Sequence, residues 1–239
     1  MEFKLEENLF DSGIIAPKVG NLILENYRSL QDNDSDRIVH YARSNNYNLV
    51  TLAAEELLDL KDFVHFGTIY EVEADFTDVW DCIKDIPERF YIRQINESDW
   101  LHIKKLLYTY PPTRYSKDPN VTMEQVVVHK LNILKHLADK YPKYALGAFS
   151  SNDELIGFHF LRVLNNIILL QELLVNPGYR IGFVSLQLVK ENLKIIRANS
   201  DLQRLATRVY EDNKTSINFF TKLKFLQLKK KEHYYHMWV

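Results

Sequence analysis

The stretch NIILLQELLVNPGYRIGFVSL, residues 166–186, reads as a strand that passes through a short loop straight into a helix. Residues 167–175 are apolar apart from Gln171 and Glu172, and Leu186, Val189, Leu193 and Ile196 continue at helical spacing. A strand feeding directly into a helix leaves unpaired backbone N–H groups and the positive helix end at the turn. A phosphate is the natural ligand of that geometry, and Arg180 adds a fork of charged donors beside it. The plain alternative is a strand–loop–helix connection with a surface arginine. The loop carries neither GxGxxG nor a Walker lysine, which removes Rossmann and P-loop readings.

Outward from this segment the pattern is regular. Residues 90–95 form an expected strand, with Asn96 or Ser98 capping a helix that carries Trp100, Ile103 and Leu107 on one face. After the loop YPPTRYSKDPNV, Thr122 and Gln125 have capping-box spacing before a helix bearing Val127, Leu131, Leu134 and Ala138. Strands are expected at 144–150, 154–163 and 166–175 as a meander. A strand at 204–211, a helix at 213–223 and a final hairpin around LKKKEH follow. Upstream, short helices are expected at 37–43 and 55–60 and strands at 48–53 and 68–76. Residues 76–89 show little periodicity, and Pro87 would interrupt any helix there. The sequence therefore predicts a mixed α/β fold with a mostly antiparallel sheet. A small α/β domain is placed at 1–88 and a larger one at 89–239.

Composition narrows the function. The chain has 239 residues, enough to bury a core without staples, and 30 Lys+Arg against 32 Asp+Glu give a charge of −2. No basic excess supports nucleic-acid binding. Cys82 is the single cysteine, which excludes an intrachain disulfide or a thiolate zinc cluster. No metal site is expected, since His233 and His236 flank two tyrosines without cysteine partners. His129 and His159 read as hydrogen-bonded structural residues. The opening MEFKLEENLFDSG lacks a signal-peptide pattern, and no apolar run is long enough for a bilayer, so a cytoplasmic protein without membrane contact is expected.

Val175, Pro177 and Arg180, followed by Asn213, Ser216, Phe219, Phe220, Leu223 and Phe225, fit V-x-P-x-x-R and N-x-x-[AS]-x-x-F-[YF]-x-x-L-x-F. With the element order from residue 90 onward, this resembles the GNAT superfamily of N-acetyltransferases. The resemblance implies an acyl-CoA co-substrate. Its pyrophosphate would dock on Arg180, Ile181, Gly182, Phe183, Val184 and Ser185. Its pantetheine arm would lie along Leu174 and Val175, near Asn213, Phe219 and Phe220. The family's usual R-x-x-G-x-[GA] loop has Phe183 and Ser185 in place of its small residues here. Acyl transfer needs a neutral amine, a polarised carbonyl and a protonated leaving thiolate. A backbone N–H near Leu174 or Val175 is implied for the carbonyl. Glu172 is the positional candidate for the base, with an exposed strand carboxylate as the plain alternative. The position where the family commonly has a tyrosine acid is Phe220, leaving Tyr210, Tyr234 or Tyr235 as substitutes, or solvent.

Thr113–Pro119, TRYSKDP, is similar to the R-[FY]-x-x-D-P segment of the dTDP-fucosamine acetyltransferase group, whose members also carry a small N-terminal α/β domain. This narrower resemblance implies a dTDP-linked amino-deoxyhexose as acceptor, in surface polysaccharide (O-antigen or capsule) synthesis. Arg114 and Lys117 would meet the diphosphate and Tyr115 would stack on thymine, with Asp118 in the same loop. The alternative for Arg114 and Asp118 is a mutual ion pair. Two other classes stay open: an acyltransferase acting on a protein or small amine, and a non-catalytic acyl-CoA-binding module. The final hairpin's strand edges make a homodimer the expected assembly.

Overall fold

Two short parallel contacts organise an otherwise antiparallel sheet. The structure, a computed structural model, describes residues 3–9, 11–24, 32–110, 113, 115–164, 166–180, 183–199 and 202–239, without the side chains of 32, 33 and 199. Its strands are β1 Phe3–Glu7, β2 Val19–Leu24, β3 Leu49–Ala54, β4 Val64–Asp75, β5 Tyr91–Gln94, β6 Ala145–Phe149, β7 Leu155–Leu164, β8 Ile167–Val175, β9 Arg204–Tyr210 and β10 Gln227–Trp238. The helices are α1 Asp32–Ser44, α2 Phe76–Ile83, α3 Trp100–Leu107, α4 Met123–Lys140, α5 Val184–Asn199 and α6 Lys214–Lys222. The sheet order is β1-β2-β3-β10-β4-β9-β8-β7-β6-β5. Among the described strands only β2–β3 and β8–β9 pair in parallel, each bridged by a helix, α1 or α5.

The two halves follow one path. An antiparallel pair (β1–β2 or β7–β8) leads through a helix to a parallel strand (β3 or β9). Each parallel contact spans four pairs, Val19–Leu22 with Leu49–Leu52 and Ile167–Leu170 with Arg204–Thr207. The following long strand then crosses into the other half, so that β4 lies beside β9 and β10 beside β3. The sheet thus runs unbroken across residue 88, and the N-terminal segment supplies an interior strand to the C-terminal one.

The helices cover both faces. Phe76, Val79 and Ile83 of α2, Val189, Leu193 and Ile196 of α5 and Phe220 of α6 pack on Ile168, Leu170 and Leu205. On the other face Ile103, Leu107, Val127, Leu134 and Leu137 of α3 and α4 cover Phe158, Phe160 and Leu174. The capping box at Thr122 and Gln125 forms as expected, and the Gln125 amide also donates to the carbonyls of Ile14 and Ile15 at 3.0 and 3.1 Å, tying α4 to the N-terminal segment.

Three sequence expectations are corrected. Residues 76–83 are helical, because Phe76, Val79 and Ile83 at +3 and +4 face the core and Pro87 lies beyond the helix end. Residues 55–60 form no helix: the segment is too short to pay nucleation alone, and the Leu58 N–H donates to the Tyr235 hydroxyl at 2.6 Å. LKKKEH is no hairpin but part of β10, bulged between Leu228 and Lys230. It has no turn-forming residue, and its lysines meet carboxylates, Lys229 with Glu73 at 3.5 Å and Lys230 with Glu232 at 2.8 Å. From His233 onward β10 is paired on both sides, with β3 and β4, and the hairpin on which the homodimer expectation rested does not form. Among the described residues no helix is long and apolar enough to cross a membrane.

Candidate active site

A bulge in β8 aims the site. Phe160 faces Glu172 and Leu161 faces Leu170, so Gln171 is the extra residue on its strand. One added residue reverses the alternation of side chains. Ile168 and Leu170 accordingly pack with the α5 cluster, whereas Leu174 packs with α3 and α4, and Glu172 points with Leu174. At the bulge β8 also leaves β9: their pairing ends at Leu170 and Thr207, while β9 continues beside β4 as far as Tyr210. A wedge therefore opens between residues 171–175 of β8 and 208–210 of β9.

The helix that follows starts at the end of this wedge. Asn176 caps a tight turn by accepting from the Gly178 N–H at 3.0 Å. Arg180 Nε then donates back to the Val175 carbonyl at 3.2 Å and its Nη2 to the Thr109 carbonyl at 3.4 Å. Gly157 lets α5 come close, since a Cβ there would lie 3.0 Å from the Leu174 oxygen and 3.2 Å from Val184. The Phe183 ring stacks under the Arg89 guanidinium, 4.9 Å from its centroid. The first-turn N–H groups of Val184, Ser185 and Leu186 follow at the helix's positive end. Ile181 and Gly182 lie outside the described residues.

Glu172 is 6% exposed and both its oxygens are taken, Oε1 by the Lys130 ammonium and Oε2 by the Tyr110 hydroxyl. Burial raises the Tyr110 hydroxyl above its usual range, and the adjacent carboxylate raises it further. Burial alone would lower Lys130, but Glu172 more than offsets this and holds the ammonium above its usual range. Tyr210 lies within electrostatic reach of both Tyr110 and Lys130. The structure thus gathers Glu172 and Tyr210 around two residues that sequence reasoning missed. Lys130 was signalled by its spacing: it sits between Val127 and Leu134 at +3 and +4, within the buried stripe of α4.

The remaining predicted residues divide. Asn213 caps α6 by accepting from the Ser216 N–H at 3.1 Å. Phe220 is buried in the core with its edge against Phe225, and Phe219 is partly buried beside it. Arg114 lies outside the described residues. Tyr115 is 3% exposed among Ile15, Val19 and Val126, and its hydroxyl donates to Asp11, so its ring offers no stacking face. Asp118 is 1% exposed and accepts from His236 Nδ1 and Trp238 Nε1, both at 2.8 Å. Burial would raise its carboxyl, but these donors and the Asn120 N–H hold it below the usual range. These bonds make it an internal anchor of the loop.

Lys117 differs from these neighbours. It lines a cavity of 430 Å³ with His65, Phe66, Gly67, Thr68, Glu211 and Asp212, and pairs with Asp212. His129 and His159 are structural, as expected: His129 Nε2 meets Asp11 at 2.5 Å, and His159 Nδ1 meets the Asn192 amide at 3.1 Å. His233 bonds Thr68 at 3.0 Å.

This architecture is that of the GCN5-related N-acetyltransferase fold. The chain is similar in structure to a GCN5-related N-acetyltransferase from Sphaerobacter thermophilus, at 10% identity over 99% of this chain and 76% of that one, with a TM-score of 0.59. It is likewise similar to a tandem GNAT protein from the clavulanic acid biosynthesis pathway, at 13% identity, 92% and 75% coverage and a TM-score of 0.60. A conserved protein of unknown function from Staphylococcus epidermidis gives a TM-score of 0.66 at 8% identity, with 93% and 85% coverage. No family model matches the sequence, and no curated protein is similar to it at a significant level.

Proposed function

We propose that this protein is an acyl-CoA-dependent N-acyltransferase. The observation that carries the reading is the wedge: β8 and β9 part after four pairs, at a bulge, and α5 begins where β8 ends. A thioester's pantetheine arm fits such a gap by pairing with the free backbone of residues 171–175. The pyrophosphate meets the N–H groups of Phe183, Val184 and Ser185, with Arg180 beside them. An N–H at Leu174 or Val175 polarises the carbonyl. Asn213, Phe219 and Phe220 belong to the wall on the α6 side, the last two as packing beneath it.

In the reaction the acceptor ammonium loses one proton and its nitrogen attacks the thioester carbon. The C–N bond forms as the C–S bond breaks, and a second nitrogen proton leaves as the thiolate is protonated. Glu172, engaged by Lys130 and Tyr110, serves as base only through the Tyr110 hydroxyl, which takes a proton from the amine as it gives its own to the carboxylate, and Tyr210 is the candidate acid at the thiolate. Holding amine and thioester in register supplies most of the rate. A dTDP-amino-deoxysugar acceptor, the finer reading, rests among the described residues on Lys117, because Tyr115 and Asp118 are buried.

Mass-spectrometric detection of coenzyme A released from acetyl-CoA in the presence of an amine panel tests the reading. Amine-dependent release is expected. Binding of coenzyme A with no release for any amine would instead favour a non-catalytic binding module.

A further inference from the structure

The cavity beside the wedge carries both signs of charge on one wall. Lys117 reaches it from the loop before α4, Glu211 and Asp212 from the end of β9, and His65, Phe66, Gly67 and Thr68 from β4. Gly67 brings this wall to the catalytic cluster: a Cβ there would lie 3.6 Å from Lys117 Nζ and 3.8 Å from the Tyr210 ring. Its φ of +150° also belongs to glycine. The cavity therefore opens where an amine would approach a thioester held between β8 and β9.

The charges are arranged in a particular way. Lys117 pairs with Asp212, and the two side chains are 29% and 54% exposed, so the pair is open to exchange with a ligand. The Glu211 carboxylate accepts from the Tyr70 hydroxyl, which holds it below the usual carboxylate range. Thr68 also donates to that carboxylate; Lys214 donates to the Glu211 carbonyl at 2.9 Å rather than to the carboxylate, on which it and Lys231 act at longer range. Burial lowers His65, which leaves its ring neutral at pH 7.

We propose that this cavity is the acceptor site and that it takes a zwitterionic amine, one whose ammonium rests on Glu211 and Asp212 while an anionic group on the same molecule meets Lys117. The inference rests on the acyl-CoA reading. A ligand of a single sign replaces one partner of the Lys117–Asp212 pair and leaves the other uncompensated. A molecule bearing both signs replaces each, so no charge on the wall loses its partner. An amino acid and a nucleotide-linked amino sugar share this chemistry; a diamine and a simple alkylamine lack it.

The test combines coenzyme A titration with acetyl-CoA turnover on four acceptor types: the α-amino acids, a dTDP-amino-dideoxyhexose, 1,4-diaminobutane and butylamine. One of the first two is expected to exceed the last two in kcat/KM by about tenfold or more, the scale of one charge-assisted contact. Which of the two is used identifies the anionic group as carboxylate or diphosphate. Lys117→Gln is expected to raise the acceptor KM about tenfold with the acetyl-CoA KM unchanged. Preference for butylamine or 1,4-diaminobutane, or an unchanged acceptor KM in Lys117→Gln, overturns the proposal. Coenzyme A binding with no zwitterion turned over also overturns it while leaving the acyl-CoA reading in place; no coenzyme A binding overturns both.

Discussion

Lys130 on α4 and Glu172 on β8 form an ion pair beside the point where β8 parts from β9, and the Tyr110 hydroxyl occupies the remaining carboxylate oxygen. The pair exists because the bulge at Gln171 turns Glu172 toward α4. It joins the strand that would hold the thioester to the helix that covers it.

Removing one partner leaves a charge with little solvent. Glu172→Gln and Lys130→Met are each expected to destabilise the fold by about 3 kcal/mol, read from urea denaturation. The double variant Glu172→Leu/Lys130→Met should recover much of that loss, since two apolar groups need no partner. Losses that simply add in the double variant, to about 6 kcal/mol, would mean that the pair is not a unit.

His159 gives the protein an acid limit. Its ring is enclosed between β7 and α5, and burial pushes it down to about 4 from an unfolded value near 6.5. Below pH 6.5 the unfolded chain takes up a proton that the folded state refuses until about pH 4. The stabilisation present above pH 6.5 is thus lost progressively as the pH falls to 4, by up to about 3 kcal/mol. His159→Gln should flatten the fall of Tm across that window. A wild-type Tm constant from pH 6.5 to 4.5 would refute the assignment.

Asp118 acts through the loop it anchors. Asp118→Asn removes the charge that His236 and Trp238 share, and a loss of about 2 kcal/mol is expected in urea denaturation. Because Lys117 is the next residue, the acceptor KM should rise with it while the acetyl-CoA KM stays fixed. An increase confined to the acetyl-CoA KM would place this loop elsewhere in the reaction.

Tyr210→Phe separates an acid from a packing residue. As proton donor to the thiolate, Tyr210 should cost about 100-fold in kcat when its hydroxyl is removed, with Tm nearly unchanged. An unaltered kcat would leave the thiolate to solvent.

Much of the C-terminal region was legible because its signals are local. The stripe of α5, the capping box at Thr122 and Gln125 and the meander from 144 to 175 each follow from spacing within one segment. What escaped was set by distant partners. Glu172 is read as one member of an alternating strand, but the bulge that turns it shows only in the pairing of β7 with β8. LKKKEH lacks turn residues yet reads as polar punctuation until Glu73 and Glu232 are placed beside its lysines. TRYSKDP reads as an exposed ligand loop, whereas Asp11, His236 and Trp238, far away in sequence, draw Tyr115 and Asp118 inside. The path shared by the two halves is equally hidden, because it lies in strand order rather than in repeated residues.

The central claim is that coenzyme A phosphates rest on the start of α5. Calorimetric titration of acetyl-CoA into the wild type and Ser185→Glu tests it most directly. A glutamate in the first helical turn suits the helix dipole, so the fold should keep its Tm, while its charge opposes a phosphate at the same place. One acetyl-CoA per chain is expected for the wild type, with affinity reduced about tenfold or more in Ser185→Glu. No binding by the wild type, or equal affinity in the two proteins, would contradict the account.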